Sequence, residues 1–275
     1  MIKQLAICST PDGVIGDKGS LAMLSKLDMR NFVDFTFGTL LIVGRTSAEE
    51  MLNKGFKPDR HRPLLVISKD KIVEVKHEPQ FIFYAPDFDT AIEYASNVIE
   101  QVGLCGITII GGKSVYEQTF ESKIDLDAVY LAEITPDDSF DGFDSGTAVQ
   151  LNLGTKSLRK ILCDKLGGDP NVTGVGEFAQ ELTEPKDTRA TMCLTKMYRM
   201  LKYDPKKVSL SSGRTLRIKA AAGEIVMPIS SVGGYQRERE RNAITLFTVS
   251  GQLQVRLETE AEINFLQHTI DQHLA

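Results

Sequence analysis

Asp28 is the acidic residue whose neighbours give it the most chemical promise. On a helix starting near Ser25, positions 28, 32 and 35 share a face, and the last two are Phe32 and Phe35. A carboxyl on an aromatic stripe is desolvated, which raises its pKa and suits it to holding a protonated heterocycle or supporting proton transfer. The position also has a structural reading: in a first turn capped by Ser25, Asp28 would serve free amides and the helix dipole. Helix geometry alone favours that second reading. Two glycine junctions point to an anionic ligand. Gly111 and Gly112 follow a buried apolar run and open a helix at Lys113, so backbone amides there can approach a phosphate closely. The Walker pattern GxxxxGK[ST] is absent, and a plain tight turn would look the same. Gly44, Arg45, Thr46 and Ser47 form a second strand-to-helix junction with a cation added. Two such junctions in one sheet suit a dinucleotide. The segment 9–24 carries Gly13, Gly16 and Gly19, too widely spaced for GxGxxG. It reads as a flexible loop where open α/β sheets place ligands, or as an ordinary surface loop.

These residues need elements to position them. Ile2 to Cys8, Thr39 to Val43, Arg62 to Ser68, Phe81 to Tyr84, Gly106 to Ile110 and Ala128 to Ile134 are short and largely apolar, as in strands covered on both faces. Between them lie helix candidates at Ser25 to Thr36, Ser47 to Asn53, Asp89 to Gln101 and Lys113 to Phe120. The third starts with acidic residues and ends before Gly103, both boundary signals. Alternating strands and helices predict right-handed crossovers and a largely parallel sheet. Beyond Ile134, Ser157 to Cys163 and Thr191 to Met200 read as two strands forming an antiparallel hairpin. A mobile Gly/Pro/Glu-rich loop, residues 164–188, separates them. The expectation is one domain over residues 1–203 with about eight strands and four helices.

Composition sets outer limits. The chain has 275 residues, 42% hydrophobic and 25% charged, which excludes disorder or low complexity for the whole. A net charge of -5 argues against nucleic-acid or anionic-membrane binding. The four cysteines, Cys8, Cys105, Cys163 and Cys193, show no zinc spacing and read as reduced thiols of a cytoplasmic protein. There is no stretch long enough for a membrane span or signal segment, and no tryptophan.

In order and spacing, VIG (Val14 to Gly16), Asp28, VGR (Val43 to Arg45), RPLLVIS from Arg62 and IIGGKSVYEQ from Ile109 resemble dihydrofolate reductase. The resemblance covers roughly residues 1–200. It implies an α/β fold with a central eight-stranded, mostly parallel sheet, four flanking helices and a C-terminal antiparallel strand, in agreement with the count above. It implies NADPH-dependent reduction of dihydrofolate and overturns the structural preference for Asp28. Asp28 would be the sole acid of the pterin pocket, binding the 2-amino and N3 groups and assisting protonation at N5. Phe32 would pack on the pterin and benzoyl rings, and Arg62 would pair with the substrate's glutamate carboxylate. Ile7 would line the substrate and nicotinamide sites, together with Ile15 and Gly16. Arg45, Ser68 and Lys69 would bind the 2′-phosphate. Ser47, Gly111, Gly112, Lys113 and Ser114 would contact the pyrophosphate region, with Thr46, Ile110 and Val115 beside them and Tyr116 near the nicotinamide ribose. Gly19, Leu21, Ala22 and Met23 would belong to a lid. Antifolates would be ligands of the same pocket.

Two positions depart from the family pattern. Ala22 and Met23 stand where the lid usually carries Pro-Trp, which places the missing tryptophan. Ala132 stands at a substrate-site position where a threonine hydroxyl normally supports the carboxylate, a loss worth about 1 kcal/mol in pterin binding. They keep a second reading open: a protein of this fold that binds nucleotide or pterin as a structural component with weak catalysis. A riboflavin-pathway reductase shares the fold, but Asp28 and Phe32 argue against it. Residues 204–275 read as a β-strand and helix extension: short strands, a hairpin around Ser250-Gly251, then Thr259 and Glu262 in a capping box before Ile263, Leu266 and Ile270. Alternating Arg237, Arg239 and Arg241 suit a solvated strand edge. The apolar residues of the extension must be buried somewhere, and self-association or attachment to a protein partner is the expectation. Such an appended module would suit a virus-encoded enzyme acting in the host cytoplasm.

Overall fold

A computed structural model describes residues 1–23, 25–70, 81–136, 142–168, 171–181, 192–201, 208–210, 215–220, 223–238, 243–248 and 251–257, with positions 262, 263, 266, 267, 269 and 270. The elements up to residue 201 are β1 (Ile2–Ser9), β2 (Val14–Asp17), β3 (Ser20–Leu21), α1 (Lys26–Thr36), β4 (Thr39–Gly44), α2 (Arg45–Asn53), β5 (Leu64–Ile67) and β6 (Ile82–Ala85). Then come α3 (Phe88–Val102), β7 (Gly106–Gly111), α4 (Lys113–Glu121), β8 (Ala128–Pro136), β9 (Val149–Gln150), α5 (Leu158–Lys165), β10 (Asn171–Glu181) and β11 (Met192–Leu201). Eight strands form one sheet in the order β10-β11-β8-β1-β7-β4-β5-β6. The pairs from β8 through β6 are parallel, and β11 pairs antiparallel with both β8 and β10. The apolar runs therefore do what continuous hydrophobicity predicts. Leu40, Leu41, Ile42 and Val43 of β4 are all fully buried, because α3 packs on one face and α2 on the other.

The structure corrects three expectations. Residues 157–163 are helical, not a strand: the Ser157 side chain accepts the Lys160 amide as an N-cap. Leu158, Leu162 and Leu166 recur at helical spacing and are buried. Among the described residues of 1–203 there are thus five α-helices where four were expected. The first arm of the terminal hairpin is β10, from the segment expected to be a loop, with a register shift between Gly174 and Gly176. Two glycines there allow the bulge that composition alone suggested was a loop. The glycine-rich segment after β1 is also ordered into strands. β2 pairs with β3 and with β9, and the backbone turns through Gly13, Lys18 and Gly19 at positive φ.

The C-terminal extension holds β12 (Val208–Leu210), β13 (Thr215–Ala220), β14 (Gly223–Pro228), a short 3₁₀ turn at Ile229–Ser231, β15 (Val232–Glu238), β16 (Ala243–Thr248) and β17 (Gly251–Arg256). These form two antiparallel three-stranded sheets, and β16 and β17 make the expected hairpin, closing at Thr248 and Gly251. Leu216, Ile218, Ile244, Leu246, Ile263, Leu266 and Ile270 pack in one cluster drawn entirely from residues 216–270. Much of the extension's apolar surface is thus buried within itself. Thr259 of the capping box and the side chains of Arg237, Arg239 and Arg241 lie outside the described residues. No described helix is long and apolar enough to cross a membrane.

Candidate functional site

A cleft of about 750 Å3 opens along β1, α1, α2 and α4. Asp28 lines it from the first turn of α1. Ser25 caps the helix by accepting the Asp28 amide at 3.2 Å, while the Asp28 side chain is buried, only 4% exposed. Phe35 lies in the core and Phe32, one turn earlier on the same stripe, lines the cleft. The Tyr130 hydroxyl donates to Asp28 Oδ1 at 2.8 Å, and the Cys8 thiol forms a second hydrogen bond to the carboxyl. Burial pushes the Asp28 pKa up to about 6; the two donors act against burial without cancelling it. Asp28 thus exchanges a proton near neutral pH.

The far side of the cleft is built from backbone. α1, α3 and α5 carry side-chain caps from Ser25, Asp87 and Ser157. α2 and α4 begin at Gly44 and Gly112 with no side-chain cap, and those two termini line the cleft. Helix-start amides and the positive dipole ends favour an anion, although at α4 the Val115 amide is already bonded to the Gly112 carbonyl at 3.0 Å. The termini converge: a Cβ on Gly44 would lie 3.3 Å from Val115 and 3.7 Å from the Gly112 nitrogen. A Cβ on Gly112 would meet Ser47 Oγ at 2.7 Å, and one on Gly111 would meet the Tyr116 ring at 2.3 Å. Only glycine leaves this cradle open. Tyr116 is fixed beneath it, its hydroxyl 2.8 Å from the carbonyls of Ala6 and Ile110. Burial drives the Tyr116 pKa upward, so the phenol stays neutral.

The rim carries cations. Arg62 lies over the Phe56 ring at 5.4 Å, with its backbone amide bonded to the Asp59 side chain. Arg45 pairs with Glu49 at 2.9 Å and remains about half exposed. Lys54 bridges Glu50 to Ser20 Oγ, both at 2.8 Å, linking the end of α2 to β3. The β2–β3 hairpin forms one wall through Ile15, Gly16, Gly19, Ser20 and Leu21.

Most of the residues singled out from the sequence therefore share this cleft: Ile7, Ile15, Gly16, Gly19, Leu21, Asp28, Phe32, Arg45, Thr46, Ser47, Arg62, Ile110, Gly112, Lys113, Ser114, Val115 and Tyr116. Six do not line it. Ala132 is fully buried on β8, and Gly111 sits behind the cradle against the Tyr116 ring. Ala22 and Met23 are buried, with Met23 packed on Ile134, Cys8 and Phe143. Ser68 and Lys69 follow the end of β5, where the Ser68 hydroxyl turns to the Asp70 carbonyl. The sequence reading missed Tyr130 and Cys8 at the carboxyl, and Phe56 and Lys54 at the rim. A second depression of about 360 Å3 beside α5 holds Lys156, already paired with Asp164 at 2.9 Å.

The family whose profile matches this chain, over residues 1–146, is dihydrofolate reductase. The dihydrofolate reductase of Mycoplasma genitalium is 31% identical over 111 residues, which cover 40% of this chain and 64% of that protein. The chain thus spans under two thirds of the length of that relative. The matched regions hold the cleft carboxyl and both uncapped helix termini when the family profile is laid over α1, α2 and α4.

Proposed function

Since the chain belongs to the dihydrofolate reductase family, we propose that it reduces dihydrofolate to tetrahydrofolate with NADPH as the hydride donor. The observation that carries this reading is one cleft in which a buried carboxyl lies on one wall and two uncapped helix termini on another.

The cofactor fits the residues present. Two convergent helix N-termini suit a pyrophosphate and its neighbouring groups, and the glycines at 44, 111 and 112 keep that space clear of side chains. Ser47, Lys113 and Ser114 would add polar contacts, Arg45 a cation for the 2′-phosphate, and Ile7, Ile15 and Tyr116 the nicotinamide end. Ser68 and Lys69, just past the end of β5 in the same sheet, are the remaining candidates for the 2′-phosphate. When bound, a reduced nicotinamide supplies the hydride to C6 of the pterin. Asp28 accepts hydrogen bonds from the pterin's 2-amino and N3 groups, fixing the ring plane, and its near-neutral pKa lets it support protonation at N5. Phe32 gives an apolar wall for the rings, and Arg62, steadied over Phe56, offers a fork to a carboxylate tail. The β2–β3 hairpin excludes water from one side.

The alternative, a binding component with weak catalysis, drew on the absent threonine hydroxyl and tryptophan together with the C-terminal extension. The Tyr130 hydroxyl, bonded to the carboxyl, weighs against the first of these three points. Mixing the purified protein with NADPH and dihydrofolate tests the reading: nicotinamide absorbance falls only when both are present, and Asp28→Asn slows it by at least about a hundredfold, the lower scale of positioned acid–base catalysis. Tight binding of NADPH with no absorbance change would favour the binding component.

A further inference from the structure

We propose that Tyr130 is a positioning residue for Asp28, its phenol holding the carboxyl in place for the pterin. This rests on the reading of Asp28 as the pterin-binding acid. Tyr130 is among the most deeply buried side chains of the protein, 1% exposed, on the strand hydrogen-bonded on both sides: it registers with Ala6 on β1 and Arg199 on β11. Its backbone therefore has little freedom. The ring packs against Phe35 with centroids 5.7 Å apart, so α1 grips it with the same stripe that carries Asp28. Alanines at 128 and 132 flank it on its own strand face, and Ala6 sits opposite, together leaving room for a large ring. The ring stands off this sheet face toward α1, and its hydroxyl meets Asp28 Oδ1 at 2.8 Å. Ala132, on the same face two residues on, has no hydroxyl to offer. The small residue there and the large one at Tyr130 are two halves of one arrangement.

A donor fixed on a central strand restricts rotation of the carboxyl and favours its ionised form. The groups facing Asp28 are Tyr130 from β8, Cys8 from β1 and, by its charge interaction, Tyr116 from α4. Losing the Tyr130 hydroxyl leaves the thiol as the remaining donor among these and makes ionisation harder.

Two measurements on the full chain decide the proposal. In the first, kcat/KM for dihydrofolate is followed against pH in the wild type and in Tyr130→Phe, which keeps the ring. The midpoint of the Asp28 titration moves to higher pH, dihydrofolate affinity falls about 5- to 10-fold, the scale of one hydrogen bond, and NADPH affinity is unchanged. A role confined to packing would alter stability and leave the midpoint in place, and that result overturns the proposal. The second needs no turnover: a double-mutant cycle of Tyr130→Phe and Asp28→Ala in the unfolding equilibrium at pH 7. Coupling of about fivefold or more supports the contact, and additivity overturns it. A wild type without turnover but with intact coupling would sink the reductase reading and leave the contact standing.

Discussion

Burial is what distinguishes Asp28 from an ordinary first-turn aspartate, and it has a thermodynamic consequence that can be measured without substrate. The folded pKa is about 6, above the ordinary aspartate value of 3.8. Between those values the folded chain holds a proton that the unfolded chain has released, so this residue's contribution to stability falls as pH rises through that window. Above the folded pKa the cost is constant, on the order of 2–3 kcal/mol for a shift of this size. Asp28→Asn should therefore raise the unfolding midpoint at pH 7 and have little effect near pH 4, while turnover falls. Chemical denaturation at the two pH values checks this; equal effects at both would show that the carboxyl is not desolvated. The sequence made this residue legible because residues 28, 32 and 35 obey helix periodicity. Its partners were not legible. Tyr130 lies 102 positions away in an apolar run, and nothing in one sequence sets the facing of α1 on β8.

At the scale of elements, the cradle depends on what is absent. Gly111 has φ of +91°, where a side chain is strained, and a Cβ would drive into the Tyr116 ring. Gly111→Ala should weaken NADPH binding by at least about tenfold, since Tyr116 or the start of α4 must shift, and the misfit is of the kind that costs 1–3 kcal/mol. Fluorescence titration of NADPH reads the loss directly; unchanged affinity would mean the α4 terminus is not an anion site. The two cradle junctions were visible from sequence because glycine at a strand-to-helix turn has a specific backbone meaning. The α5 helix was not: Ser157 to Cys163 fits strand and helix patterns about equally over so short a span. What decides it is the Ser157 cap and the burial of Leu158, Leu162 and Leu166, which depend on tertiary packing. The same holds for β10, whose glycines signal a loop until a partner strand registers against them.

For the whole molecule, the described apolar clusters divide at the start of the extension: that of residues 216–270 shares no member with those of the sheet. We read residues 1–203 as the reductase unit and 204–275 as a module with its own core. Leu246→Ala, removing a fully buried side chain, should destabilise the module by about 2–5 kcal/mol and leave reductase turnover unchanged. Calorimetry should then show one of two transitions move; a single shifted transition would mean the two cores unfold as one. The sequence showed a composition break at this point, but not that much of the extension's apolar surface is buried within itself, because only closure of its sheets reveals it.

The measurement that bears most directly on the account is the steady-state rate of NADPH oxidation by the full chain with dihydrofolate. It should be taken across pH 5 to 8 for the wild type and Asp28→Asn. A substrate-dependent rate whose pH profile bends near 6 in the wild type, and which nearly disappears in the variant, is the expected result. A rate indifferent to Asp28→Asn would contradict the assignment of that carboxyl as the centre of the chemistry.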